Sequence, residues 1–177
     1  MQSRTENITV SAICLSLAMV LPFITGQILQ IGAMLAPMHL PIIICGLLCS
    51  PMYGLIIGLL SPLLRFVIFG MPPLFPIGIA MSFELATYGL VASLLYKKYG
   101  IYKSLITTMI LGRMIWGITM AGIAGFSDIS FGLNAFFTVA FINSFPGIMI
   151  QIVFIPVIIK AIKRRNNLSE NKRIYWN

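Results

Sequence analysis

Charge is scarce in this sequence. Of 177 residues only 12 are Lys or Arg and 4 are Asp or Glu, and His39 is the single histidine. That scarcity removes most catalytic chemistry. No Gly-x-x-x-x-Gly-Lys-[Ser/Thr] loop is present to cradle nucleotide phosphates, so the chain has no visible means of hydrolysing ATP. Neither Gly-x-Ser-x-Gly nor His-Glu-x-x-His occurs, and one histidine cannot pair across a haem. An intramembrane Ser–His protease would need His39 at depth, whereas it lies at a predicted membrane boundary. The chain is therefore not expected to be an enzyme, and no cofactor is expected. Cysteine is equally thin: Cys14, Cys45 and Cys49 are odd in number and sit within apolar runs, which excludes a disulfide framework. Cys45 and Cys49 stand one helical turn apart, as a metal pair would. With no histidine or carboxylate near them in sequence they read as small buried residues, and no metal site is expected.

What fills the chain is apolar. Hydrophobic residues make up 59% of it and the mean hydropathy is +0.98, far above an ordinary soluble domain. A membrane-spanning helix takes ~20 mainly apolar residues, so the length suits one bundle with short loops. The expected fold is an all-α membrane protein: one compact domain of six transmembrane helices over residues 1–165, then a polar tail, 166–177, disordered or lying at the membrane surface. The net charge of +8 suggests nucleic acid at first sight. Most of the basic residues, however, fall at the ends of apolar runs, where anionic lipid headgroups meet them, so no nucleic-acid partner is expected. The apolar run over 8–25 carries Pro22 and lacks a convincing small-residue cleavage site, which makes it a retained first helix rather than a signal peptide.

The pattern predicts helices over 7–26, 41–50, 52–69, 77–96, 103–124 and 133–165. Residues 27–40 are too broken for a spanning helix and too apolar for a solvated loop, and are expected to fold back as a cap. Ser50-Pro51 marks a tight turn, 70–76 is a proline-rich break, and Lys97-Lys98-Tyr99-Gly100 separates the fourth helix from the fifth. With six spans, Arg4, Lys97, Lys98, Lys103 and the basic cluster from Lys160 to Arg165 fall on one side of the membrane. That puts both termini in the cytoplasm. A merged second and third helix would instead leave five spans and split the termini.

Three ionisable residues lie within these spans: Arg65, Glu84 and Arg113. Each costs at least ~2.5 kcal/mol at the bilayer centre unless it finds a partner or water. At ~1.5 Å per residue, Arg65 lies about 7 Å, Glu84 about 12 Å and Arg113 about 16 Å below the outer helix ends, with Asn143 at a similar level. Four helices thus each bring a polar group into the outer half of the bundle, as a binding site entered from outside requires. Glu84 can equally neutralise one arginine and only fix helix packing. Even then a cation is left over, and a buried surplus cation is matched most simply by an anionic or strongly polar ligand. Tyr88 lies one turn from Glu84 and Trp116 about one turn from Arg113, while Phe75 and Phe137 are further candidate walls; each aromatic alone is more often core or lipid-facing. Small residues recur at Ala12/Ser16, Gly54/Gly58 and Gly78/Ser82, spacings that let helices approach closely. The last two pairs are expected to pack within the chain, and Ala12 with Ser16 to present a surface to a partner protein.

The order of these features resembles the substrate-binding S components of energy-coupling factor (ECF) transporters, the vitamin importers of prokaryotes. The resemblance covers nearly the whole chain. It rests most on Phe69-Gly70-Met71-Pro72-Pro73-Leu74-Phe75-Pro76 followed by Phe83-Glu84-Leu85-Ala86-Thr87-Tyr88-Gly89, with Met38-His39-Leu40-Pro41 in support. It implies a multi-pass protein of the prokaryotic plasma membrane that captures a vitamin from outside and docks on a transmembrane T component driven by two cytoplasmic ATPases. The missing nucleotide motif then has a reason. The resemblance also implies that 26–40, with Gln30 and His39, acts as a lid, and that the first helix docks through an Ala-x-x-x-Ala face, here Ala12 and Ser16. Such a fold serves many vitamins and does not name one. The charge count favours a carboxylate or several hydroxyls: pantothenate first, then a pyridoxine-type or pyrimidine precursor. The alternative is a non-transporting structural or assembly subunit whose buried charges only hold helices together.

Overall fold

A computed structural model of the chain describes residues 3–24, 34–127 and 131–174, with side chains described as far as Phe23 and Arg165 in the first and last of these stretches. Every regular element among them is helical. Helix α1 spans Arg4–Ile24, α2 His39–Leu48 and α3 Pro51–Phe69. Ser50 is extended and Pro51 occupies the first turn of α3, where its missing N–H is no loss. Gly70 ends α3 in the left-handed conformation, φ 71°, which a side chain would resist. A wide turn over Leu74–Gly78 leads into α4, Ile79–Gly125. α4 is two helices joined without a loop: Gly100 alone breaks it, with φ 74° and ψ −177°, dividing it into limbs 79–99 and 101–125. The basic stretch expected as a connection is therefore helical up to this one residue, and the chain reverses there because glycine tolerates the conformation. A short helix α5, Leu133–Phe137, continues through a wide turn, Thr138–Asn143, towards α6, Phe145–Ile174. α6 thus runs on past residue 165, into the stretch expected as a polar tail.

Among the described residues, four helical stretches can cross a membrane by length and composition: Arg4–Phe23, Pro51–Phe69, Leu74–Gly125 and Phe145–Arg165; α2 is apolar but shorter. Large apolar side chains point outward along them, among them Ile13, Val67, Ile118 and Val157. An outer surface of this kind suits lipid and not water.

Two ends of the bundle can be told apart. At one, the Ser50 N–H donates to Asn7 Oδ1 at 3.0 Å and the Ser93 hydroxyl to the Cys49 carbonyl at 2.8 Å. Lys163 lies 4.5 Å over the Tyr96 ring and Lys160 5.6 Å over Tyr102, on either side of the Gly100 bend. The basic residues therefore gather here. The other end carries the Phe23–Phe69 ring contact at 4.9 Å. Between the ends, glycines set the closest approach. Gly54 and Gly58 of α3 press on the backbone of Gly89 and Leu85, and a Cβ on Gly54 would stand 2.5 Å from the Gly89 carbonyl oxygen. In an apolar solvent, where the hydrophobic effect does not drive helices together, such backbone contact supplies dispersion energy instead. Gly78 lies against Pro73, with Ser82 bonded back to the Gly78 carbonyl.

Candidate functional site

Glu84 lies in limb 79–99 and is 1% exposed. Its Oε1 is the focus of three side chains. The Tyr88 hydroxyl, one turn along the same limb, donates to it at 2.9 Å. Arg113 Nη1, from limb 101–125, lies 3.1 Å away, and His39 Nε2, from the first residue of α2, 3.4 Å away. The His39 and Tyr88 rings meet edge to face at 5.4 Å. Local packing enforces this arrangement. Limb 101–125 comes close enough to bring Arg113 in because Gly112 lies directly on the Tyr88 ring, in space a Cβ would occupy.

The cluster is not saturated. Arg113 Nε and both ring nitrogens of His39 are buried and have no hydrogen-bond partner among the described residues, His39 Nε2 approaching Glu84 without bonding geometry. Thr108 Oγ1, in the same limb as Arg113, is likewise unfilled, as is Gln151 Oε1 in α6. Buried polar groups left in this way each cost about 1–3 kcal/mol, so a partner brought from outside is rewarded. Beside Arg113, an apolar cleft of about 130 Å³ opens between limb 101–125 and α6, walled by Met109, Phe141, Ile148 and Ile152 and by the exposed Ile106 and Ile110.

The structure thus brings together Glu84, Tyr88 and Arg113 as expected, and separates others. Arg65 does not reach Glu84. It is 3% exposed, donates to the Met19 carbonyl, and its guanidinium lies 5.1 Å and 5.3 Å from the Phe23 and Phe69 ring centroids. Depth along an axis says nothing of direction around it, and Arg65 faces α1. Asn143 is exposed, in the wide turn before α6, and so are Phe75 and Phe137, each 55%. Trp116 is buried, but in a second cluster with Ala80, Met120 and Ala140, against Phe131 and Phe136. His39, expected in a lid, is instead the first residue of α2 and 3% exposed. Gln30 lies outside the described residues. Ala12 and Ser16 are both exposed on α1, with the Ser16 hydroxyl bonded back to the Ala12 carbonyl at 3.0 Å, which hides its polarity.

Gln151 and Thr108 escaped the sequence reading. Gln151 had a usable signal, as the one polar side chain in the apolar run from Gly147 to Ile159. Thr108 had none, since threonine is ordinary in membrane helices, where it bonds its own backbone.

Residues 6–162 match the model of the ECF transporter, substrate-specific component. The chain belongs to that family. No curated protein matches it, and no solved structure does. Membership makes the chain a membrane protein and the substrate-binding component of a transporter, a role that goes with T and ATPase components and a small-molecule substrate.

Proposed function

We propose that this S component takes up a small water-soluble vitamin or vitamin precursor from outside a prokaryotic cell and delivers it through a T component energised by two ATPases. The observation that carries the reading is the unfilled hydrogen-bonding capacity of Arg113 Nε and His39 around Glu84, in a buried site beside a cleft. Arg113 offers a donor on an ionised group, which favours a carboxylate or hydroxyl oxygen as its partner. Pantothenate, with a carboxylate, an amide and two hydroxyls, answers that requirement first. A pyridoxine-type or pyrimidine precursor comes second, its ring suited to Tyr88 and His39. Trp116, Phe75 and Asn143 are second-rank candidates as the structure stands, and Arg65 belongs to a different neighbourhood.

In this reading α1, α2, α3, the two limbs of α4 and α6 make six crossings, and the basic end faces the cytoplasm with both termini. The lid is the chain that precedes α2, and His39 serves the site from the first turn of that helix. The exposed Ala12 and Ser16 face of α1 meets the T component.

The test is direct. Native mass spectrometry of the purified chain should find a co-purifying vitamin, and a thermal-shift panel should single out the same compound. Arg113→Ala and Glu84→Ala should both weaken its binding by about a hundredfold or more. Unchanged binding in both variants would remove this site. The structural-subunit alternative draws on the same Glu84–Arg113 contact; it predicts that no vitamin raises the melting temperature while both variants lower it.

A further inference from the structure

Gln151 belongs to neither the motif block nor the Glu84 cluster, yet it is 2% exposed and its Oε1 has no hydrogen-bond partner among the described residues. In a helix otherwise lined with Ile, Val and Phe, such a side chain is costly unless something completes it. Its position is set by its neighbours one turn to either side. Gly147 abuts the chain just before α2, where a Cβ would stand 2.5 Å from the Met34 carbonyl oxygen and 2.8 Å from that of Leu35. Ile155 joins the core that holds Met38, Ile42 and Ile43. Gln151, midway between them, therefore comes level with the start of α2, where His39 stands. Ile148, turned about 60° from it around the helix, walls the cleft that also contains Arg113.

We infer that Gln151 is a specificity-determining residue of the substrate site, its Oε1 accepting a hydrogen bond from a hydroxyl or N–H of the ligand while Arg113 Nε donates to a ligand oxygen. The inference rests on the vitamin-binding reading and narrows it. His39, Arg113 and Gln151 come from three different helices, and each holds a buried polar atom without a hydrogen-bond partner among the described residues. Two of the three can donate and the third accepts. A ligand that fills them all has an acceptor at one end and a donor at the other, which excludes simple carboxylic acids without hydroxyl or amide hydrogens. Because Gln151 Oε1 has no hydrogen-bond partner among the described residues, a purely structural role would leave that oxygen unexplained.

The experiment compares the purified full-length protein with Gln151→Leu and Gln151→Glu, titrated with pantothenate, pyridoxine, hydroxymethylpyrimidine and the deoxy analogues of each. For whichever parent compound the wild type binds, Gln151→Leu should weaken binding about tenfold while the ligand-free melting temperature is held or raised, since an unfilled polar atom has been removed. Loss of the paired ligand hydroxyl should cost the wild type a similar factor and cost Gln151→Leu nothing further, as expected of two groups in one interaction. Gln151→Glu keeps an acceptor and should retain more affinity than Gln151→Leu. Equal affinity of wild type and Gln151→Leu, with a lowered melting temperature for the variant, would assign Gln151 to helix packing and overturn the inference alone. Absence of wild-type binding to every compound would overturn the vitamin reading and this inference with it.

Discussion

Gly112 and Tyr88 occupy one another's space: the tyrosine ring lies where a Cβ on Gly112 would be. This contact sets how near limb 101–125 comes to limb 79–99, and so whether Arg113 reaches Glu84. The Tyr88 hydroxyl is at the same time anchored on Glu84 Oε1, and the ring is 1% exposed, leaving it nowhere to move.

Gly112→Ala should therefore part the two limbs or push Tyr88 off Glu84. Overpacking of this kind costs about 1–3 kcal/mol. Thermal denaturation in detergent should register that loss together with weaker ligand binding, whereas the neighbouring outward-facing Leu111→Ala should affect neither. Wild-type behaviour of Gly112→Ala would show that the limbs have slack.

Glu84→Gln should be more damaging than its size suggests. The substitution keeps the shape and leaves Arg113 as an uncompensated buried charge, for which about 3–5 kcal/mol is typical. Removing the charge as well, in Glu84→Gln with Arg113→Gln, should recover part of the stability but none of the ligand binding. Denaturant titration of the single and double variants separates the two effects, and an additive result would speak against the 3.1 Å pair.

Arg65 should behave as a brace between α1 and α3. It is held by the Met19 carbonyl and the Phe23 and Phe69 rings, with no carboxylate in ion-pair range among the described residues. Arg65→Leu is expected to cost about 1–2 kcal/mol of stability through the lost hydrogen bond and cation–π contacts, and to change ligand affinity by less than about threefold. Calorimetric titration checks the second figure; a large loss of affinity in a well-folded variant would return Arg65 to the site.

The exposed Ala12 and Ser16 face offers a prediction about assembly. Ser16→Trp should leave the isolated chain able to bind its ligand, because Ser16 is exposed and its hydroxyl bonds back to its own helix. Co-purification with T and ATPase components should fall sharply, since a bulky group prevents close helix approach. Intact assembly would move the docking surface elsewhere.

Class and residue types were legible early. Helix periodicity and hydropathy are local properties, and a charge inside an apolar run is conspicuous wherever it occurs. Glu84, Tyr88 and Arg113 could therefore be picked out by depth and spacing. Arg65 and Asn143 were grouped with them by depth alone, and depth is silent about which way a residue faces around its helix. His39 was read as loop because Pro37 and Pro41 on either side of it resemble a break; α2 begins there because Pro41 falls in its first turn, where proline is tolerated.

What the amino-acid order determined by itself is the solvent: so apolar a chain, with its cations near the ends of its greasy runs, belongs in a bilayer as helices, because only helices or closed barrels satisfy their backbone there. What only the folded arrangement decided is which buried polar groups meet. Glu84 meets Arg113 and His39, Arg65 turns to the α1 backbone, and Gln151 is left open. Those outcomes depend on the rotation and closeness of helices far apart in sequence, set by contacts such as Gly112 on Tyr88 and Gly54 on Gly89, where the absence of a side chain is what brings distant charges within reach.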